Sequence, residues 1–298
     1  MLSESLLALR PTNTMHQLGA DSPVPLFNAR LLLDALDGLP LWMPRLVHPA
    51  AAAGVLRAAA HRRAVVGLCA GGADTPSALR RQLRPGAWMQ AAAAAVAEVA
   101  EVPPFAIHLQ LPPFAEATGA EADAAAELVS GCVQGGFTSF GLDLTACPAE
   151  PAPALAAGVL SAALDFELTV CVALADAAPE SVGRQLEALR AAGVVPDLVC
   201  LPPPVGDDAT LAEVLGSVRL AWFDARPEKT GRTSLPAELA AVVGEPFSGR
   251  TAAAGGAGAA DPDRVEAMSY IAAHGRLGQL RLTGSLEPVL ARLVDRCG

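Results

Sequence analysis

The stretch PFAIHLQLP at residues 104–112, followed by AEADAAAELVSGCVQ at 120–134 and GFTSFGLDLT at 136–145, decides the fold. The outer pieces are short apolar runs bounded by proline or glycine, the pattern of strands. The middle piece carries apolar residues at helical spacing. An apolar strand, a crossover helix and a second apolar strand predict parallel pairing, because the helix returns the chain to the same edge and covers one face.

The rhythm continues outward in both directions. Strands are predicted at 41–47, 64–70, 105–111, 139–145, 168–175, 197–201, 219–224, 247–253 and 278–283. Helices are predicted near 50–60, 87–100, 120–134, 151–164, 179–192, 208–216, 235–243, 261–273 and 285–296. Eight strand–helix units close into a (β/α)8 TIM barrel, an α/β fold of about 250 residues. Nine candidates leave one surplus: an insertion, an N-terminal lid or a false strand. An open doubly wound sheet is the alternative, but no G-x-G-x-x-G follows the first strand, and the barrel is preferred. Residues 1–27, broken by Pro11, Pro23 and Pro25, read as an N-terminal extension, an arm, leaving 28–298 as a single barrel domain.

The whole chain has 298 residues, 52% of them hydrophobic, and a net charge of -10. That composition supports a large core and excludes disorder over most of its length. Net negative charge disfavours nucleic acid or an anionic membrane as partner. No apolar run approaches the roughly 18 residues of a membrane span, and no secretory leader is recognisable at the start. The six cysteines are scattered, without C-x-x-C or metal spacing, and Cys69 and Cys171 lie in apolar runs, which fits a reducing compartment. The expected setting is the cytoplasm.

The ends of the predicted strands carry a resemblance. HLQL at 108–111 followed by GFTSFGLD at 136–143 is similar to the H-L-D-H and G-F-T-S-x-x-x-D segments of the class II fructose-bisphosphate and tagatose-bisphosphate aldolases. Residues 44–72 look like the first two units of that family, and His48-Pro49 resembles the branch holding the non-catalytic tagatose-bisphosphate aldolase subunit. AAAGGAG at 252–258 resembles its H-G-G-S-G loop, and GRLGQLRLTGSL at 275–286 its last strand. The ordered series covers residues 40 to 290 and is weakest between 176 and 245.

The resemblance implies a catalytic Zn2+ held by histidines and an aspartate acid/base, and the sequence departs at each place. Leu111 and Ala254 stand where two of the histidines are expected, and LAWFDARP at 220–227 offers none for the third. Neither leucine nor alanine can donate an electron pair to a metal. Gln110 matches the aspartate, and an amide has no useful pKa for proton transfer. TVCVALA at 169–175 is uncharged. No metal, no cofactor and no catalytic residue is therefore expected.

What remains is anion recognition. Gly255, Gly256 and Gly258 could turn backbone N–H groups towards a phosphate, with Thr283 adding a hydroxyl. A ligand could also meet Gln110, Asp143 at the end of the fourth strand, and a rim of Arg226, Lys229, Arg232 and Arg250. The plain alternatives are a Gly/Ala loop and a solvated charged loop. Lys229, the single lysine, could form a Schiff base only if burial lowered its pKa. His108 reads as a core histidine, and Leu111, Pro112, Pro113 and Phe114 predict a filled mouth.

Three functional readings follow. The first is a pseudoenzyme acting as a scaffold or regulatory subunit through other protein subunits, in a homo- or hetero-oligomer, with the arm and the helices at 87–100 and 151–164 as contact surfaces. The second is a metal-independent enzyme or sensor for a small phosphorylated metabolite. A purely structural homo-oligomer or filament unit is a third.

Overall fold

The computed structural model describes residues 4–37, 39, 41–46, 48–99, 101–114, 119–202, 209–223, 242–244 and 261–296. The strands are β1 (Leu41–Trp42), β2 (Arg45–Leu46), β3 (Val66–Ala70), β4 (Phe105–Gln110), β5 (Ser139–Asp143), β6 (Thr169–Ala173), β7 (Leu198–Cys200), β8 (Arg219–Phe223) and β9 (Val242–Gly244). The helices are α1 (Glu4–Leu7), α2 (Thr12–Leu18), α3 (Ala29–Leu36), α4 (Pro49–Arg62), α5 (Pro76–Gln82), α6 (Pro85–Glu98), α7 (Ala120–Gln134), α8 (Ala152–Asp165), α9 (Pro179–Ala191), α10 (Ala209–Leu215), α11 (Pro262–Gln279) and α12 (Leu286–Asp295).

All pairings are parallel, in the order β1-β9-β8-β7-β6-β5-β4-β3-β2. β1 and β2 are two halves of one extended segment, 41–46. Its first half pairs with β9 and its second with β3, so the sheet closes on itself as an eight-staved barrel. Local signals set the helix starts. Pro49, Pro76 and Pro262 occupy first-turn positions, while His48, Thr75 and Asp261 cap the N-termini with side-chain acceptors.

Side chains alternate between two cores, as the two-residue period of a strand requires. Trp42, Leu68, Ile107, Leu109, Phe140, Leu142, Val170 and Val199 face outward into the shell beneath the helices. Leu41, Met43, Cys69, Ala106, Cys171, Leu198 and Cys200 face inward, and α3 joins them through Ala29, Leu32, Leu33 and Leu36. The helix thus stoppers the end of the barrel where the strands begin.

The arm expected at 1–27 is therefore packed against the barrel. Leu6, Val24, Leu26 and Phe27 are buried, and the Phe27 N–H donates to the Phe105 carbonyl at 2.9 Å. Arg10 donates to the carbonyls of Leu7, Ala20 and Ser22, and the Asn13 amide donates to those of Val133 and Phe137. The apolar faces proposed as contact surfaces are also used internally: α6 packs on α4, and α8 packs between α7 and α9.

The surplus strand is the one predicted at 278–283. Val265, Ser269, Ala273 and Leu277 form a buried row at four-residue spacing, so α11 runs on through Gly278 to Gln279, with Leu280 as its C-cap before Arg281 turns left-handed at φ 57. The last barrel strand is Val242–Gly244, two residues of which fall in the helix predicted at 235–243. The rest of that helix and the strand predicted at 247–253 lie outside the described residues. No helix among the described residues is long and apolar enough to cross a membrane.

Candidate functional site

In a closed parallel barrel the chemistry gathers where strands end, since loops of all eight units meet there. The inward positions of that end are Arg45 on β2, His108 and Gln110 on β4, Gly141 and Asp143 on β5, and Ala173 on β6. Arg45, Cys69, His108 and Ser139 are consecutive register partners across four strands.

His108 and Gln110 fill the middle. The His108 Nδ1 lies 2.8 Å from the Ser139 hydroxyl, and its Nε2 lies 3.3 Å from the Gln110 Oε1. A carbonyl oxygen only accepts, so in this arrangement Nε2–H donates to Gln110 and Nδ1 accepts from Ser139. Burial drives the His108 pKa down to about 4, with the Arg45 charge adding to the effect, so the ring is neutral near pH 7. The Gln110 Nε2 donates to the Leu111 carbonyl at 2.9 Å. Gly141 makes room for the pair: a Cβ there would overlap the Gln110 Oε1 and come within 2.7 Å of the His108 Nε2.

Around this centre, Asp143 is half-buried and engaged, its Oδ1 accepting from the Thr145 N–H at 3.0 Å and hydroxyl at 2.6 Å. Burial raises the Cys69 thiol pKa to about 11 although Arg45 pulls it the other way, so the thiol stays protonated. The Cys171 and Cys200 sulfurs lie 3.6 Å apart in the lumen. Leu111 and Phe114, expected to plug the mouth, instead turn outward into the shell core.

The structure thus brings Gln110 and Asp143 to the mouth and sends Thr283 elsewhere. Thr283 is exposed in the turn after α11, beside Gly284, whose N–H donates to the Arg62 carbonyl ahead of β3. That is the opposite end of the barrel, so Thr283 cannot share a ligand with the mouth. Gly255, Gly256, Gly258, Arg226, Lys229, Arg232, Arg250 and Ala254 lie outside the described residues.

Arg45 is the residue that sequence reasoning missed. Its signal was present: within LWMPRL at 41–46 the inward parity of Leu41 and Met43 extends to Arg45, a charge on the lumen side of a strand.

The zinc that the resemblance implies does not fit these side chains. His108 has both ring nitrogens engaged, Gln110 offers a neutral amide, and Leu111 faces the shell. Among the described residues no group of three His, Cys, Asp or Glu side chains is placed to hold a metal ion.

No family model and no curated protein matches the chain. Solved structures do. The YdjI aldolase from Escherichia coli K12 is 13% identical with a TM-score of 0.61, the match covering 88% of this chain and 100% of that one. A structure described as a fructose-1,6-biphosphate aldolase from Coccidioides immitis is 17% identical with a TM-score of 0.60, covering 91% and 99%. At these identities the likeness establishes the fold: a class II aldolase-like (β/α)8 barrel.

Proposed function

We propose that this barrel is a catalytically inactive relative of the class II aldolases that works as a scaffold or regulatory subunit, through contact with other protein subunits. The observation that carries the reading is the His108–Gln110 pair. Where the aldolase reaction would need an ionisable acid/base, the neutral Gln110 amide is hydrogen-bonded to a neutral, buried imidazole, and Leu111, at the place of an expected metal ligand, is a shell residue. Neither can exchange protons with a substrate at neutral pH without breaking that bond.

The partner half of the proposal draws support from α11. Its inner face packs on α4, while Ile271 is 71% and Met268 39% exposed on the outer one. A large aliphatic side chain so fully in water suits a helix that another protein covers. Binding of a small phosphorylated metabolite is favoured by a different observation, the inward-facing Arg45.

Two measurements test the proposal. Purified protein assayed for aldol cleavage of ketose bisphosphates, with and without added zinc, is expected to show none. Light scattering is expected to show an oligomer, homomeric or with a co-purified subunit, that Ile271→Glu disperses. Zinc-dependent cleavage would overturn the inactive reading, and a monomer unaffected by Ile271→Glu the partner reading.

A further inference from the structure

We infer that Arg45 makes the mouth of the barrel a metal-free binding site for a small oxyanion, a phosphate or carboxylate group.

Position comes first. Arg45 follows Leu41 and Met43 on the lumen side, while Trp42 and Leu46 face the shell. Its stem runs beside Gly71 at the end of β3, where a Cβ would lie 3.9 Å from the Arg45 Cδ and 3.1 Å from the Gln110 carbonyl. Glycine there lets the two strand ends close together with no side chain between the stem and the lumen. The guanidinium is near enough to Cys69 and His108 to depress the pKa of both.

Charge balance comes second. Most other arginines that bridge elements have acids: Arg30 and Arg219 meet Asp34, Arg57 meets Glu98 and Glu266, and Arg292 meets Asp37. Arg10 and Arg62, which have none, are instead held by backbone carbonyls and, for Arg62, by the His274 ring. Half-buried Arg45 has no carboxylate within 4 Å among the described residues. Asp143, the acid on the same rim, is committed to Thr145. Cys69 and His108 are neutral, so among the described residues of this register layer no side chain carries a negative charge to offset Arg45. A cation taken partly out of water and left without a counter-ion is unfavourable, and a bound anion relieves it.

Chemistry comes third. A guanidinium presents a planar fork of donors that matches two oxygens of a carboxylate or phosphate. Gln110 adds a neutral donor, since one of its two amide hydrogens goes to Leu111 and the other has no partner among the described residues. The neutral Cys69, His108 and Gln110 beside it do not compete for that charge, and partial burial reduces its screening by water.

The inference is independent of the protein-partner reading, and its test differs. The full chain is titrated with inorganic phosphate and, separately, with malonate, at constant ionic strength set by chloride, following thermal unfolding and heat of binding. Stabilisation is expected to grow with the logarithm of the anion concentration, as linkage to the folded state requires. A response to phosphate alone identifies phosphate esters as the ligand class, and a response to malonate alone carboxylates. Arg45→Gln should weaken binding at least roughly tenfold while unfolding, without anion, at or above the wild-type temperature. Arg45→Lys should retain part of the response, and Arg80→Gln, on the outer surface of α5, all of it. No response to either anion, or an equal response in Arg45→Gln, overturns the inference.

Discussion

The two ends of this barrel are built from the same strands and treat charge in opposite ways. At the end where the strands begin, α3 presses Leu32, Leu33 and Leu36 into the lumen, and Asp34 gathers Arg30, Arg219 and Arg296 around one carboxylate. Where they finish, Arg45 is the one arginine among the described residues, set in register beside a thiol and a neutral imidazole and near the Gln110 amide. The lower end is sealed by apolar area and charge compensation, which stabilise; the upper end leaves polar groups half-committed, which suits a ligand. The lesson is that inward parity along a single strand, Leu41, Met43, Arg45, passes from stopper to site within five residues.

The contrast predicts that the largest loss comes from the stopper. Phe27 is fully buried between α3 and the start of β4. Truncation to alanine removes a ring from a site with no room to collapse, so Phe27→Ala is expected to cost about 3–5 kcal/mol in urea denaturation. A cost below about 1 kcal/mol would mean that the 1–27 segment is the loose arm that its prolines suggest.

Next in size is a pH effect from the mouth. His108 titrates near 4 in the folded chain, against 6.5 for a free side chain. Between those values the unfolded chain binds a proton that the folded chain refuses, so stability falls as pH drops from 6.5 towards 4 and the loss is complete below 4. The shift corresponds to about 3 kcal/mol. Denaturation midpoints measured across that window should show the loss in the wild type, and His108→Gln should lack that part of it.

The fold was legible where strands are apolar on both faces. In VGLCA, TVCVA and LVC little polar alternation shows, yet the runs are bounded by helices with clear spacing, and 120–134 matches α7 residue for residue. The failure at 278–283 has a specific cause. Leu280 and Leu282 share the two-residue spacing of a strand, while Leu277 and Ala273 share the four-residue spacing of a helix, and burial against α4 favours the helix. α3 was missed because its NARLLLDAL sequence follows a proline-rich stretch, and only the barrel supplies the apolar lumen that makes its stripe worth burying.

The site was half legible. The resemblance pointed to Gln110 and strand-end position to Asp143, because the runs that carry them, 104–112 and 136–145, are recognisable locally. Thr283 was placed with them on the strength of a strand that does not form. Arg45 escaped because a lone arginine is informative only once its strand is known to face a lumen.

The smallest expected effect sharpens the difference between the ends most directly. Ser285 and Thr283 are two residues apart below the barrel. Ser285 is buried and its hydroxyl accepts from the Val65 N–H at 3.1 Å, whereas Thr283 is exposed in the turn. Ser285→Ala leaves a buried donor unsatisfied and should cost about 1–3 kcal/mol. Thr283→Val should stay within about 0.5 kcal/mol of the wild type and leave the phosphate or malonate response unchanged. If Thr283→Val instead weakened anion binding, the ligand would have to sit at the lower end. The stoppered base, with its three arginines around Asp34, would then be the functional face and the Arg45 mouth the inert one.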